Sequence, residues 1–216
     1  MTQIKTGIAG FDWFLRGGLP PKVLLLSGIP GSGNEILARQ IAYSKAKENG
    51  VSYFTVNSTA DYIKEEMIEF GWDINEFVES GDWKFLKIKE NSSLMDIVIN
   101  EMKKNRTVVI DSLSELLLFY SDKEIVTLLT TMAHQNEGGK KFHMLLLTSG
   151  MQKPQTETTM EHFAEGVIIF NTTWTKDSTL RHLLVKKMQG ITVPIRMLQY
   201  NLVKKGFIIE SATRIN

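Results

Sequence analysis

The stretch GIPGSGNE, residues 28–35, decides the fold prediction for this chain. It follows the apolar run VLLLSG (23–28) and precedes a segment, residues 34–49, whose apolar residues are spaced as in a helix. A strand, a glycine-rich turn and a helix in this order form a phosphate-binding loop, in which backbone amides surround an anion. The pattern G-x-x-x-x-G-K-[ST] requires Lys and then Ser or Thr, whereas this chain has Asn34 and Glu35. The backbone pattern predicts a phosphate loop that lacks its usual side chains.

The composition indicates an ordinary globular protein. The chain has 216 residues, 43% of them hydrophobic, and a net charge of +1, so no bulk charge favours nucleic acid or an anionic membrane. The sequence contains no cysteine, which excludes disulfides and thiolate chemistry. The amino terminus lacks the layout of a signal peptide, and no apolar run approaches ~18 residues. We therefore expect a cytoplasmic protein without a membrane segment.

Strand and helix patterns alternate through the first two thirds of the chain, and strands predominate afterwards. This order predicts an α/β fold with a mostly parallel sheet, helices on both faces and a C-terminal antiparallel extension, in a single domain spanning residues 1–216. The predicted strands are 23–28, 51–56, 83–88, 106–111, 143–148, 166–174, 181–188, 194–203 and 206–210. The first predicted helix is 34–49. A second begins at Ser58 or Thr59 as N-cap and has Ile63, Met67 and Phe70 on its inner face. Two more are predicted at 92–104 and at 112–136, the latter with a break near Ser121-Asp122, and a short turn is predicted around 158–164.

Several further motifs occur in a characteristic order. They are TGIAGFDWFLRGGLP (6–20), FGWDINEFVESGDWKFLKI (70–88), VVIDSLSELL (108–117), HFAEGVIIF (162–170) and RHLLVKKMQG (181–190). Together with the glycine loop, they resemble the single-domain KaiC-like branch of the RecA-type P-loop ATPases almost from end to end. The resemblance implies a RecA-like P-loop fold.

The same resemblance identifies the positions at which this chain departs from active members of that family. There, the loop Lys and Ser/Thr hold the phosphates and Mg²⁺, and an acidic pair after the second strand activates water. Here the loop has Asn34 and Glu35, and Asn57-Ser58 follows the second strand. In the family, a basic residue of a Lys-Met-Arg-Gly stretch reaches the nucleotide of the neighbouring subunit. The corresponding stretch here is Lys187-Met188-Gln189-Gly190, in which the Lys remains and Gln stands in place of Arg. Asp111 is the one catalytic-type position that is intact.

These departures predict a vestigial nucleotide site with no catalytic residue. Losing the lysine and adding a carboxylate costs about 3 kcal/mol, or roughly two decades of nucleotide affinity. We expect Glu35 to stabilise the helix start and to pair with Arg39, four residues later, while Arg39 otherwise faces away from the loop. The expected cofactor is therefore none, with weak ATP/Mg²⁺ binding as the alternative. The predicted site residues are Gly28, Gly31, Ser32, Gly33, Asn34, Glu35 and Asp111.

Other polar residues have simpler interpretations. Asp111 would either hold Mg²⁺ through water or, with Ser112, cap the following helix, and the cap is favoured. Lys187 is interpreted as a solvated strand residue, and Glu65-Glu66 as the polar side of a helix. The four histidines, His134, His143, His162 and His182, lack the spacing of a zinc site, so we expect no metal.

Three functions remain open. The leading hypothesis is a catalytically degenerate RecA/KaiC-type domain that is not expected to be an enzyme and that regulates or assembles through contacts with a protein partner or with its own copies. The first alternative is a weak ATP-binding protein or ATPase of the same family. The second is a DNA-binding recombinase-like accessory protein, whose candidate contact is SGMQKPQTETTMEH (149–162). That segment has one Lys against two Glu, and a nucleic-acid partner is not expected.

Overall fold

A computed structural model describes residues 3–89 and 93–209. All nine strands of this part of the chain lie in one sheet, in the order β3-β2-β4-β5-β1-β6-β7-β8-β9. Strands β1 to β6 are parallel, and β7, β8 and β9 follow with antiparallel pairings. The strands are β1 Val23–Gly28, β2 Val51–Thr55, β3 Trp83–Lys87, β4 Thr107–Asp111, β5 His143–Thr148, β6 Gly166–Trp174, β7 Thr179–Met188, β8 Leu198–Val203 and β9 Gly206–Ile209.

Helices cover both faces of the sheet because its central strands are apolar on both sides. In β1, Leu24 and Leu26 belong to one buried cluster, and Val23 and Leu25 belong to the other. The first cluster is completed by residues of α1–α3, and the second by residues of α5–α8. The helices are α1 Ala9–Phe14, α2 Asn34–Asn49, α3 Ala60–Glu69, α4 Asn75–Ser80, α5 Leu94–Lys103, α6 Leu113–Leu116, α7 Asp122–Gln135 and α8 Pro154–Phe163.

The predicted architecture is confirmed, including the position of the glycine loop. Strand β1 lies between β5 and β6 in the interior of the sheet, so the residues after Gly28 emerge at the carboxyl edge of the parallel strands. The antiparallel extension from β7 to β9 lies at one side of the sheet, as predicted. In α/β sheets this carboxyl edge is where ligands bind.

The structure also differs from the prediction in detail. Helices α1 and α4 were not predicted, since each has only six residues, too few for a helical period to show. The predicted start of the third helix at Ser92 lies outside the described residues, and α5 begins at Leu94. Helix α8 begins at Pro154, earlier than the predicted turn, with proline in its first turn, where a missing N–H costs nothing. Among the described residues, none of the helices is long and apolar enough to cross a membrane.

Candidate functional site

The glycine loop connects the end of β1 to the start of α2 and needs glycine at several positions. Gly31 and Gly33 have φ angles of 76° and 88°, which favour residues without a Cβ. A Cβ on Gly28 would lie 2.2 Å from Ser32 Oγ. These features account for the spacing of the glycines in the sequence. The loop therefore turns tightly at the carboxyl edge and delivers the chain into a long helix.

The C-terminal strands support the loop from behind, a contact that the sequence did not indicate. The hydroxyl of the buried Tyr200 on β8 donates a hydrogen bond of 2.5 Å to the Ser32 carbonyl. Leu202 packs so closely that a Cβ on Gly33 would lie 2.7 Å from its Cδ1 atom. Burial raises the pKa of Tyr200, so its hydroxyl keeps the proton that it donates. The antiparallel extension thus fixes the shape of the loop.

Asn34 occupies the position of the phosphate-binding lysine but directs its side chain back into the protein. Its Nδ2 atom donates a hydrogen bond of 3.1 Å to the Leu26 carbonyl on β1, and its Oδ1 atom accepts one of 3.4 Å from Ser32 Oγ. Asn34 is 7% exposed. Its amide therefore stabilises the loop rather than extending towards an anion in front of it.

Glu35 lies in the first turn of α2, and its carboxylate accepts a hydrogen bond from its own backbone amide. Burial raises the pKa of Glu35, and this outweighs the lowering by that amide and by the nearby Arg39 charge. The expected ion pair between Glu35 and Arg39 is wrong, because the Arg39 guanidinium is held by two other carboxylates. Glu35 nevertheless stands at the helix terminus, as predicted.

The prediction that Arg39 faces away from the site is also wrong. Arg39 is 5% exposed and reaches the ends of β2 and β4. Its Nη2 atom is 3.2 Å from Asp111 Oδ2, its Nη1 atom is 2.6 Å from Glu66 Oε2, and its Nε atom donates to the Tyr53 hydroxyl at 3.1 Å. Burial lowers the pKa of Arg39, but Tyr53, Asp111 and Glu66 raise it by more. We call Arg39, Tyr53, Glu66 and Asp111 the arginine cluster.

Asp111 is held inside this cluster and does not cap the helix after it. Its Oδ2 atom accepts a hydrogen bond of 2.6 Å from the Tyr53 hydroxyl in addition to the contact with Arg39. Burial and the Asp111 charge raise the pKa of Tyr53 well above its usual value, so the phenol stays protonated. The cap of α6 is Ser112, which accepts a hydrogen bond from the Glu115 amide. One oxygen of Asp111 thus has two donors from the protein itself.

Comparison with known proteins assigns the chain to a family. The family model described as ATPase: KaiC matches residues 4–214. The chain belongs to the KaiC family. Its arginine cluster joins α2 and α3 to β2 and β4, and Asp111 lies at the carboxyl end of β4.

Individual relatives match the chain over different lengths. A UPF0273 protein of Aeropyrum pernix is 26% identical, with 96% of this chain and 93% of the relative covered. The circadian clock protein KaiC3 of Synechocystis is 33% identical over 46% of this chain, which is 20% of that protein. The crystal structure of the KaiC-like protein PH0186 from Pyrococcus horikoshii has a TM-score of 0.80 and 21% identity, with 97% and 99% of the two chains covered. This structural likeness establishes the fold.

Two carboxylates approach the end of β2 from elsewhere in the chain, although Asn57-Ser58 itself is not acidic. Glu66 on α3 is half-buried and pairs with Arg39, so its interpretation as a surface residue is wrong, whereas Glu65 is exposed as predicted. Glu115 on α6 accepts a hydrogen bond of 3.2 Å from the Asn57 amide. The sequence signal for Glu66 was its position three residues after Ile63, a buried residue of α3, whereas Glu115 had no such signal.

Lys187 is not simply a solvated strand residue. Its Nζ atom donates hydrogen bonds to the carbonyls of His162, at 2.6 Å, and Glu161, at 3.4 Å. These carbonyls belong to the last turn of α8, where a cation satisfies acceptors that have no partner in the helix. Lys187 therefore stabilises the junction between α8 and β7.

The segment 149–162 is folded rather than open. Most of it forms α8, and Glu157 Oε1 accepts hydrogen bonds from the amides of Gly150, at 2.7 Å, and Gln152, at 3.3 Å. The carboxylate thus holds the turn between β5 and the helix. This arrangement leaves Lys153 as the one basic side chain of the segment before His162.

The histidines have separate environments. His143 is buried, and its Nδ1 atom accepts a hydrogen bond of 3.1 Å from the Val108 amide. Burial lowers the pKa of His143 to about 3. His134 is exposed and lies 3.3 Å from Glu137. Within residues 3–89 and 93–209, three or more potential ligands from His, Asp and Glu do not come together as a metal site.

Proposed function

We propose that this chain is a KaiC-type domain that does not turn over ATP and that regulates or assembles other proteins through surface contacts. The observation that carries the proposal is the arginine cluster. Arg39 and Tyr53 both bind the same oxygen of Asp111, the one catalytic-type side chain that remains. A metal ion would have to compete with a buried guanidinium for that carboxylate.

The other residues of the loop fit Mg²⁺-ATP no better. Asn34 uses its amide to hold β1, and Glu35 brings a carboxylate to the helix start, where phosphate oxygens would bind. Two negative groups near one helix terminus repel each other. The chain also lacks the acidic pair after β2 that would activate water. These residues therefore do not fit Mg²⁺-ATP.

The contact part of the proposal rests on exposed apolar side chains. Trp13 is 82% exposed, Trp174 is 66% exposed and Leu118 is 59% exposed. Large apolar side chains at the surface of a globular domain indicate binding surfaces when they cluster with others. We infer that at least one such surface serves a protein partner.

The first test is ATP turnover by the purified chain. We expect no phosphate release above that of a matched Asp111→Ala variant, because the groups that position the phosphates and the water are replaced. Release is followed by a coupled phosphate assay with excess Mg²⁺. Steady release by the natural chain that disappears in Asp111→Ala would refute the proposal.

The second test restores the loop. The double change Asn34→Lys with Glu35→Thr should raise ATP affinity by at least about tenfold, because it adds a charge-assisted donor and removes a repelling carboxylate. It should not restore hydrolysis, since Asn57 and Ser58 provide no base. Calorimetric titration measures the affinity, with Glu65→Thr, a change at an exposed position, as control.

Weak nucleotide binding without turnover is the second candidate. It is supported by the backbone of the loop, where Gly31 is exposed and nothing would lie within 4 Å of a Cβ there. Free amides in such a turn attract anions. If the natural chain binds ATP at micromolar concentration and the double change adds nothing, this candidate replaces the leading proposal.

A further inference from the structure

An open groove of about 1240 Å³ lies between the N-terminal segment and the loop before β8. Its walls are formed by residues 5–17, which include α1, and by residues 192–196. Trp13 on one wall is 82% exposed, and Ile195 on the other is fully exposed. Both side chains are large and apolar, and both nevertheless face water. The groove is separate from the arginine cluster, since the two share no residue.

The rim of this groove is basic. Lys5, Arg16 and Arg196 line it and are exposed, and across residues 3–89 and 93–209 none of the three enters an ion pair. Unpaired cations beside an apolar surface attract a ligand that carries negative charges next to apolar groups. The whole chain has a net charge of only +1, so this concentration of positive charge is local.

The one acidic residue of the lining does not offset this charge at the surface. Asp12 is 6% exposed, and its Oδ1 atom accepts hydrogen bonds of 2.8 Å from both the amide and the hydroxyl of Thr6. The carboxylate is thus directed into the protein, where it joins the N-terminal segment to α1. A ligand in the groove would meet the three cations and the apolar walls.

We propose that this groove binds a short peptide segment of a partner protein in which acidic side chains alternate with large apolar ones. The inference deepens the proposed function, on which it rests, by assigning the contact surface and the chemistry of the partner. Trp and Arg, the residue types that most often dominate binding energy at protein interfaces, both occur here. The apolar side chains of the peptide would pack on Trp13 and Ile195, and its carboxylates would pair with Lys5 and Arg196.

The size and charge of the groove favour this occupant over two others. Small-molecule sites usually have volumes of about 300–1,000 Å³ and enclose their ligand, whereas this groove is larger and open. A second copy bound through a two-fold interface would bring like charges together, because such an interface pairs the groove with itself. An acidic, apolar peptide satisfies both the walls and the rim.

A display library of random short peptides, selected on the full chain, tests the proposal. Selected peptides should be enriched in Asp and Glu beside Leu, Phe or Trp relative to the starting library. The affinity of the best peptide should fall by at least about tenfold in Trp13→Ala, since this removes an aromatic anchor. It should also fall in the double variant Lys5→Glu with Arg196→Glu, and the effect of that variant should shrink between about 0.15 M and about 1 M salt.

Matched controls come from the hairpin between β6 and β7. Trp174→Ala and Lys176→Glu change an exposed tryptophan and an exposed lysine outside the groove and should leave the affinity unchanged. All five positions changed to Ala or Glu are exposed, so the variants should keep the circular dichroism spectrum and unfolding midpoint of the natural chain.

Three results would overturn the inference. They are a failure to select any peptide, selection of peptides without net negative charge, and equal losses in Trp13→Ala and Trp174→Ala. Loss of self-association in Trp13→Ala, measured by sedimentation, would assign the groove to a second copy instead and would also overturn it. None of these results bears on ATP turnover, so a failure here is distinguishable from a failure of the proposed function.

Discussion

At the scale of single residues, Arg39 has the largest effect on what the site can do. It is buried with two carboxylates and a phenol, and it supplies from within the chain a positive charge beside Asp111. Breaking a buried pair by removing one partner is costly because the other charge stays behind. The cluster therefore stabilises an arrangement in which Asp111 has its partners before any ligand arrives.

The predicted effect of Glu35→Gln follows from the raised pKa of Glu35. Because burial disfavours its charged form, the folded state binds this proton more tightly than the unfolded state does. The resulting stabilisation is complete below about pH 4.5 and is lost as the pH rises through the folded pKa. We expect Glu35→Gln to be more stable than the natural chain at about pH 7, with the difference vanishing near pH 4.5. Urea unfolding at both pH values measures this.

The exposed Glu65 provides the control for that measurement. Glu65→Gln should change the free energy of unfolding by less than about 0.5 kcal/mol at either pH. A Glu35→Gln variant that is less stable than the natural chain at neutral pH would contradict the prediction. The charged carboxylate would then stabilise the helix start by more free energy than its burial costs.

The sequence predicted the backbone of the site better than its side-chain contacts. The glycine spacing correctly indicated the tight loop, and Asn34 and Glu35 were correctly placed at the helix start. The partners of Arg39 were not predictable, because a helical angle gives the direction of a Cβ and not the reach of a long guanidinium. Tyr200 was missed because nothing in the sequence relates it to a loop that lies 168 residues earlier.

At the scale of elements, local capping explains where the long helical region 112–136 divides. The sequence predicts a break near Ser121, and the structure has Ser121 as the N-cap of α7, with a capping box closed by Glu124. Hydrogen bonds from Ser121 lower the pKa of Glu124. Elements with a strong cap or a long period were therefore predictable, whereas the six-residue helices α1 and α4 were not.

We expect Ser121→Ala to reduce the free energy of unfolding by about 1 kcal/mol, the usual cost of losing an N-cap. Thr130→Ala, at an exposed position within the same helix, should change it by less than about 0.5 kcal/mol. Chemical denaturation followed by circular dichroism measures both. Equal effects of the two changes would show that the capping box does not determine where α7 begins.

At the scale of the whole molecule, the sheet was the most predictable feature. Alternation of strands and helices, followed by strands, is compatible with few topologies, and the parallel sheet with antiparallel strands at one side agrees with the predicted architecture. Titratable side chains buried at the opposite edge from the site were harder to predict. Lys22 pairs there with Glu165 at 2.5 Å, and His143 lies beside Val23 at the start of β5.

His143 should make the stability of the whole fold sensitive to acid. In the folded state the pKa of His143 is about 3, below its ordinary value. The stability that the neutral imidazole contributes to the fold is therefore present above about pH 6.5 and is lost as the pH falls towards 3. One proton changes the free energy of unfolding by about 1.4 kcal/mol per pH unit in this range. His143→Gln should therefore show a smaller decrease in stability between about pH 7 and pH 5 than the natural chain does.

The comparison requires urea unfolding of both chains at the two pH values. His134→Gln, a change at a position that is exposed, is the control and should retain the acid sensitivity of the natural chain. An unchanged pH dependence in His143→Gln would assign the acid sensitivity to other groups.

The contact between Tyr200 and the loop has a consequence for the order in which the molecule is completed during its synthesis. The ribosome makes Ser32 168 residues before Tyr200, which at about 5–20 residues per second is an interval of roughly 10–30 s. Throughout that interval the glycine loop lacks the strand that supports it, although its own residues are already present. The nascent chain therefore carries an unsupported loop until β8 leaves the ribosome, and only the finished protein has the loop described above.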